Sequence, residues 1–138
     1  MEERHIGVLL KMITDKMKCG ADADFKKFDI TFSQSRVFLY LSGHSDVTQK
    51  DLEEYLCVSH PTIVGIVTRM EKNGYVRSWL NPQDKRNKMV CLTDRALAQL
   101  AEMEQVTSQR ESRLIAGLSD RQITELKKTL LLIYQNIS

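Results

Sequence analysis

A mainly α-helical chain with one small β-hairpin is the fold class the sequence predicts, and three observations carry the prediction. Apolar residues recur at spacings of three and four through most of the 138 residues, the periodicity of helices with one buried face. The stretches Thr31-Phe32-Ser33-Gln34 and Ser119-Asp120-Arg121-Gln122 have the capping-box form, in which hydroxyl and amide side chains satisfy the free N–H groups of a helix start. Only one segment, residues 75–92, abandons this rhythm for two extended runs about an Asn-Pro turn. The length suits about one domain with a single core.

The elements follow in order. Residues 2–18 are expected to be a helix, with Ile6, Leu9, Leu10, Ile13 and Met17 on one stripe. That stripe must pack on its own domain or on a second copy of the chain. KCGADADFKKFD, residues 18–29, holds a glycine and three aspartates and is expected to be a connector. Thr31 then caps a helix carrying Val37, Phe38, Tyr40 and Leu41, which ends near Gly43. Asp46-Val47-Thr48 is short and extended. Thr48 caps the following helix, and Asp51 at its third position faces the positive end of the helix dipole. Leu52, Tyr55 and Leu56 form its buried side, and it ends about Cys57.

Ser59 is the next cap. Pro61 falls in the first turn, where its missing N–H is not needed. This helix, residues 60–73, buries Ile63, Ile66, Val67 and Met70 and is stopped by Gly74. Two short helices joined by a tight turn make a helix-turn-helix. The runs 75–80 and 88–92 are the strands of a hairpin whose turn is residues 81–87. A hairpin placed directly after a helix-turn-helix makes a winged helix. Thr93-Asp94 caps a long helix with Leu97, Leu100, Ala101, Met103, Val106, Leu114 and Ile115 that ends at Gly117. Ser119 opens a last helix bearing Ile123, Leu126, Leu130, Ile133 and Ile137. Repeats and low-complexity tracts are absent.

Charge narrows the function. Residues 59–90 carry six Lys/Arg against two Asp/Glu, a local +4 in a chain whose total is +2. A basic block in an otherwise slightly acidic chain is the electrostatic footprint of nucleic-acid binding. The second helix of the helix-turn-helix presents Ser59, His60, Pro61, Thr62, Val64, Gly65, Thr68 and Arg69 away from its apolar face. Hydroxyls and free amides at such a helix start can bond phosphate oxygens, while other side chains reach base edges in a major groove. Gly65 costs its helix about 1 kcal/mol relative to alanine; close approach of the backbone to DNA or tight helix packing would each account for it. The turn carries Asp84, Lys85, Arg86 and Lys88, and an arginine held out from a narrow turn suits the negative potential of a minor groove. Trp79 is expected to pack within the hairpin.

Other chemistries find no support. The chain has no Gly-rich phosphate loop, no credible Ser/His/Asp or Cys/His arrangement and no paired carboxylates in an apolar setting, so an enzyme is not expected. Cys19, Cys57 and Cys91 lack CxxC spacing and are expected to be small buried hydrophobes. Cys19, near the expected end of the first helix, is the candidate for an alternative redox-sensing role. His5, His44 and His60 are too scattered for a metal site, and no cofactor is expected. With no signal peptide and no apolar run near the roughly 20 residues that span a bilayer, a cytoplasmic protein without membrane contact is expected.

The segment M-E-K-N-G-Y-V-R-x(6)-D-K-R-N-K-M-V-C-L-T, residues 70–93, resembles the pattern of the multiple antibiotic resistance regulator (MarR) family. Its hallmark, a wing Asp-x-Arg followed by a strand ending Leu-Thr, is here Asp84-Lys85-Arg86 with Leu92-Thr93. The similarity extends over nearly the whole chain, including the TFSQSRVFLYL and LSDRQITEL helices. The resemblance implies a single domain, residues 1–138, in which residues 31–93 bind DNA and residues 1–30 and 94–138 intertwine in a homodimer. It implies a repressor on a pseudo-palindromic operator, with recognition positions in residues 59–65 plus Arg69. Arg86 would enter the minor groove, oriented by Asp84 and flanked by Lys85 and Lys88. The implied effector is a small aromatic or anionic molecule bound between the dimer helices and the winged region. Where many members carry a basic residue two positions after Val76, this chain has Ser78, between Arg77 and Trp79. A winged helix used only for protein–protein contact is the alternative from another class, and an adaptor has no use for an arginine aimed by an aspartate.

Overall fold

The computed structural model describes residues 5–138, which form six α-helices and one three-stranded antiparallel sheet. The order is α1 (Ile6–Asp24), α2 (Phe32–Gly43), β1 (Val47–Thr48), α3 (Gln49–Leu56), α4 (His60–Lys72), β2 (Val76–Leu80), β3 (Lys88–Leu92), α5 (Asp94–Leu114) and α6 (Asp120–Asn136). Two compact units result, one through Glu104 and the other Gln105–Ser138, with α5 crossing the boundary.

The caps act as the sequence requires. Thr31 with Gln34 and Ser119 with Gln122 form reciprocal capping boxes, and Thr48 does the same with Asp51 in place of the usual Glu or Gln. Thr93 caps α5 through the Ala96 N–H at 3.2 Å, and its own hydroxyl donates to the Gly74 carbonyl at 2.5 Å. Gly74 and Gly117 both adopt left-handed backbone (φ +79° and +84°), the conformation that stops a helix and that a side chain would strain.

The connector expected over residues 18–29 is instead mostly helix. α1 continues to Asp24, and Lys26–Phe28 adds a single 3-10 turn that Asp29 ends in left-handed backbone. The reason is burial: Ala21, Phe25 and Phe28 are all in the core, and the apolar area they remove from water outweighs the local preferences of Gly20 and the aspartates. Residues 2–4 of the expected helix lie outside the described residues.

The core of the first unit gathers Val37 and Phe38 of α2, Leu52 of α3, Ile63, Val67 and Met70 of α4, and Val76 and Val90 of the sheet. Tyr75 joins it edge-on to Phe38, with ring centroids 5.8 Å apart, and its hydroxyl donates to the Phe28 carbonyl at 2.5 Å. That bond ties the chain just past α4 to the residues after α1. Tyr55 departs from expectation. It is exposed on α3, where it packs on Tyr40 at 4.5 Å under the Arg36 guanidinium. A tyrosine satisfied by a ring and a cation at the surface has no need of the core.

The sheet holds one strand more than a hairpin. β3 pairs with β2 in the register Val76↔Leu92 to Leu80↔Lys88, and its other edge takes β1 through Val47↔Val90 and Thr48↔Met89. β1 therefore anchors the middle of β3 next to the start of α3.

In the second unit α6 has no buried residue, although Leu126, Leu130, Leu131, Leu132, Tyr134 and Ile137 are large and apolar. Within the first unit α1 likewise exposes Ile6, Val8, Met12 and Ile13. No described helix is long and apolar enough to cross a membrane.

Candidate nucleic-acid interface

The turn between α3 and α4 is only residues 57–59. Cys57 adopts left-handed backbone (φ 55°), and its N–H and that of Val58 bond carbonyls at the end of α3. The chain thus reverses sharply, and Ser59 starts α4 by accepting the Thr62 N–H at 3.4 Å. Ser59 Oγ also lies 2.9 Å from Thr62 Oγ1. Pro61 occupies the first turn, as expected.

α4 is sharply two-sided. Ile63, Ile66, Val67 and Met70 are buried, while Ser59, His60, Pro61, Thr62, Val64, Thr68 and Arg69 are exposed and Gly65 half-exposed. The structure therefore places every α4 residue singled out from the sequence on one outward face. A Cβ built on Gly65 would meet only the Arg69 guanidinium, at 3.3 Å, and no other helix. Tight helix packing does not explain this glycine.

His60 shows a contact that the sequence did not suggest. Its Nδ1 lies 2.5 Å from Oε1 of Glu53, in α3. Helical periodicity relates residues three or four apart; this pair is seven apart and meets only because the turn folds α4 back on α3.

The hairpin tip is organised by side chains bonding backbone. Asn81 Oδ1 accepts the Gln83 N–H at 3.0 Å, and the Asn81 and Asn87 main chains bond across the turn at 3.1 Å. Asp84 is the hub. Its Oδ1 accepts from the Arg86 N–H at 3.2 Å and from Arg86 Nε at 3.3 Å, while its Oδ2 accepts from the Asn87 amide at 2.9 Å. The Arg86 side chain is 93% exposed, against 36% for Asp84. One face of the guanidinium is thus steered and the rest is in solvent. Lys85 is exposed and Lys88 half-exposed, on the same hairpin. Asn87, the second partner of Asp84, was not singled out from the sequence, although an Asn beside a tight turn is a recognisable signal.

On β2, Ser78 donates a hydrogen bond to Glu71 of α4 and so ties the hairpin to that helix. Trp79 is more exposed than a hairpin packing residue should be. The Arg77 guanidinium lies 5.4 Å from its ring centroid, and this pairing replaces burial. The cysteines also differ from expectation, since Cys19 and Cys57 are exposed and Cys91 is half-buried. Cys19 lies within α1 rather than at its end, because Ala21 and Phe25 carry the helix past it. Among the described residues no group of three or more His, Cys, Asp or Glu side chains could hold a metal ion.

A helix-turn-helix with one polar outward helix, followed by an arginine-tipped hairpin, is the arrangement of a winged-helix regulator of transcription. The comparisons with known proteins agree. Residues 28–87 match the model described as the MarR family. The HTH-type transcriptional regulator YwoH of Bacillus subtilis is 32% identical over 100 residues, 72% of each chain. The HTH-type transcriptional repressor IacR of Pseudomonas putida is 27% identical over 112 residues, 81% of this chain and 67% of that one. Among solved structures, the Staphylococcus aureus MepR–DNA complex superposes with a TM-score of 0.89 at 26% identity, covering 97% of this chain and 99% of that one. The chain belongs to the MarR family of HTH-type transcriptional regulators. The expectation of a DNA-binding regulator rather than an enzyme holds.

Proposed function

We propose that the protein is a homodimeric repressor that binds a pseudo-palindromic operator and is released by a small-molecule effector. In each subunit α4 enters the major groove with Ser59, His60, Pro61, Thr62, Val64, Gly65 and Arg69. The wing enters the minor groove with Arg86, flanked by Lys85 and Lys88 and steered by Asp84. The observation that carries this reading is the hub at Asp84, which holds out a 93% exposed arginine at a tip that has no other evident use for it. The repressor IacR and the DNA-bound MepR support the same reading by likeness. Residues 1–30 and 94–138 form the dimer, which would cover the apolar residues that α1 and α6 expose.

Half-sites about one helical turn, roughly 34 Å, apart set the spacing that the two α4 helices must meet. A small aromatic or anionic effector that binds better to a dimer with another spacing lowers DNA affinity by population shift. Selection of bound duplexes from a random library tests the proposal. A palindrome is expected, with its enrichment lost when the effector is added, and enrichment of single, unrepeated half-sites would exclude the dimeric mode.

Gly65 supplies a second test. Because its Cβ would meet only the flexible end of Arg69, Gly65→Ala should stabilise the fold by up to about 1 kcal/mol. The same methyl group would stand between α4 and the groove. Thermal unfolding should therefore shift upward while operator affinity falls, and a fall in both would place the glycine in folding instead.

A further inference from the structure

We propose that Glu53 is a positioning residue for DNA readout: it holds the His60 imidazole so that Nε2 faces the duplex as the hydrogen-bonding atom of the first turn of α4. The inference rests on α4 being the groove-entering helix and adds a residue from a different helix to the recognition apparatus. Glu53 Oε1 and His60 Nδ1 are 2.5 Å apart, across the turn that joins α3 to α4. The Glu53 side chain is 21% exposed and that of His60 68%, so the carboxylate is the inner member and the ring the outer one. An ionised carboxylate has no hydrogen to give, so Nδ1 carries the proton and donates it. Nε2 lies on the opposite side of a ring whose side chain is 68% exposed.

The neighbours single out this ring. Ser59 and Thr62 have their hydroxyls 2.9 Å apart and engaged with one another, and Pro61 has neither a polar side chain nor an N–H. His60 is therefore the one aromatic ring of the first turn, and its Nε2 lies away from the atom that Glu53 engages. A lone surface histidine samples two tautomers and several rotamers, each presenting a different atom. A contact to one base edge needs one atom in one place, which is what a carboxylate behind the ring provides. A carboxylate with no such role would simply be repelled by phosphates, and its removal would strengthen binding to every duplex alike.

The two cases separate in a double-mutant cycle on the full chain, read by fluorescence anisotropy with the selected operator and with a scrambled duplex. Glu53→Ala is expected to lower the preference for the operator about tenfold, a coupling of the size touching residues show. Glu53→Gln, which keeps an acceptor facing Nδ1, is expected to retain most of that preference. In a His60→Ala background Glu53→Ala should have no further effect. Equal strengthening on both duplexes, the same effect with and without His60, or a His60→Ala variant with unaltered preference would each overturn the proposal. If Arg86→Ala still weakens binding in that last case, only the Glu53 assignment fails; if neither substitution matters, the docking of the winged helix itself is wrong.

Discussion

Replacing Arg86 with alanine is expected to weaken operator binding about a hundredfold or more while leaving the dimer intact. The arginine makes no contact that the fold depends on: its side chain is 93% exposed and its partner Asp84 keeps the Asn87 amide and the Arg86 backbone N–H. An exposed ion pair of this kind contributes under about 1 kcal/mol to stability. A side chain reading a groove contributes about 1–3 kcal/mol to binding, and twofold symmetry counts it twice. The loss should also reduce the salt dependence of binding by about two counterions per dimer. Unchanged affinity in an anisotropy titration would remove Arg86 from the groove. Asp84→Ala tests the aiming separately and should cost less, because the charge at the tip survives and only its direction is lost.

The second large effect concerns the face that α6 leaves uncovered. Leu126→Glu combined with Leu130→Glu is expected to give a monomer in sedimentation and to abolish cooperative binding to the full palindrome. Both leucines are exposed on a helix that has no buried residue at all. Each would contribute about 1.5–3 kcal/mol when buried against a second copy, and symmetry again doubles the sum. The charges add a desolvation cost on top. Neither leucine belongs to the buried core, so the far-UV circular dichroism of the variant should change little. A dimer that survives both charges would mean that some other surface joins the subunits.

Much of the fold was legible in the sequence, and the legible parts share a cause. Capping boxes at Thr31 and Ser119, the proline in the first turn of α4, and the left-handed glycines at Gly74 and Gly117 are local signals, satisfied within a few residues of themselves. The core face of α4 was equally plain, because Ile63, Ile66, Val67 and Met70 repeat with the helix itself. The Asp84–Arg86 contact belongs to the same group, since it joins residues two apart in one turn, whereas Asn87, the other partner of Asp84, was missed.

The errors have the opposite character. Residues 18–29 looked like a connector because Gly20 and the aspartates are poor helix formers, yet distant core residues bury Ala21, Phe25 and Phe28 and hold most of that stretch in a helix. Tyr55 was assigned to the core by periodicity, but Tyr40 and Arg36 on α2 gave it a surface partner. Trp79 packs on Arg77 of its own strand, as a hairpin residue should, yet stays 40% exposed.

The sequence by itself determined where the helices after α1 start, which face of α4 turns outward, and that an arginine-tipped hairpin follows it. These depend on backbone geometry and side chains within one turn of each other. Tertiary structure alone decided that β1 anchors the wing, that Ser78 ties it to Glu71, and that Glu53 stands behind His60. Each of these joins residues on different elements, and no periodicity along the chain records which elements meet once the core has closed.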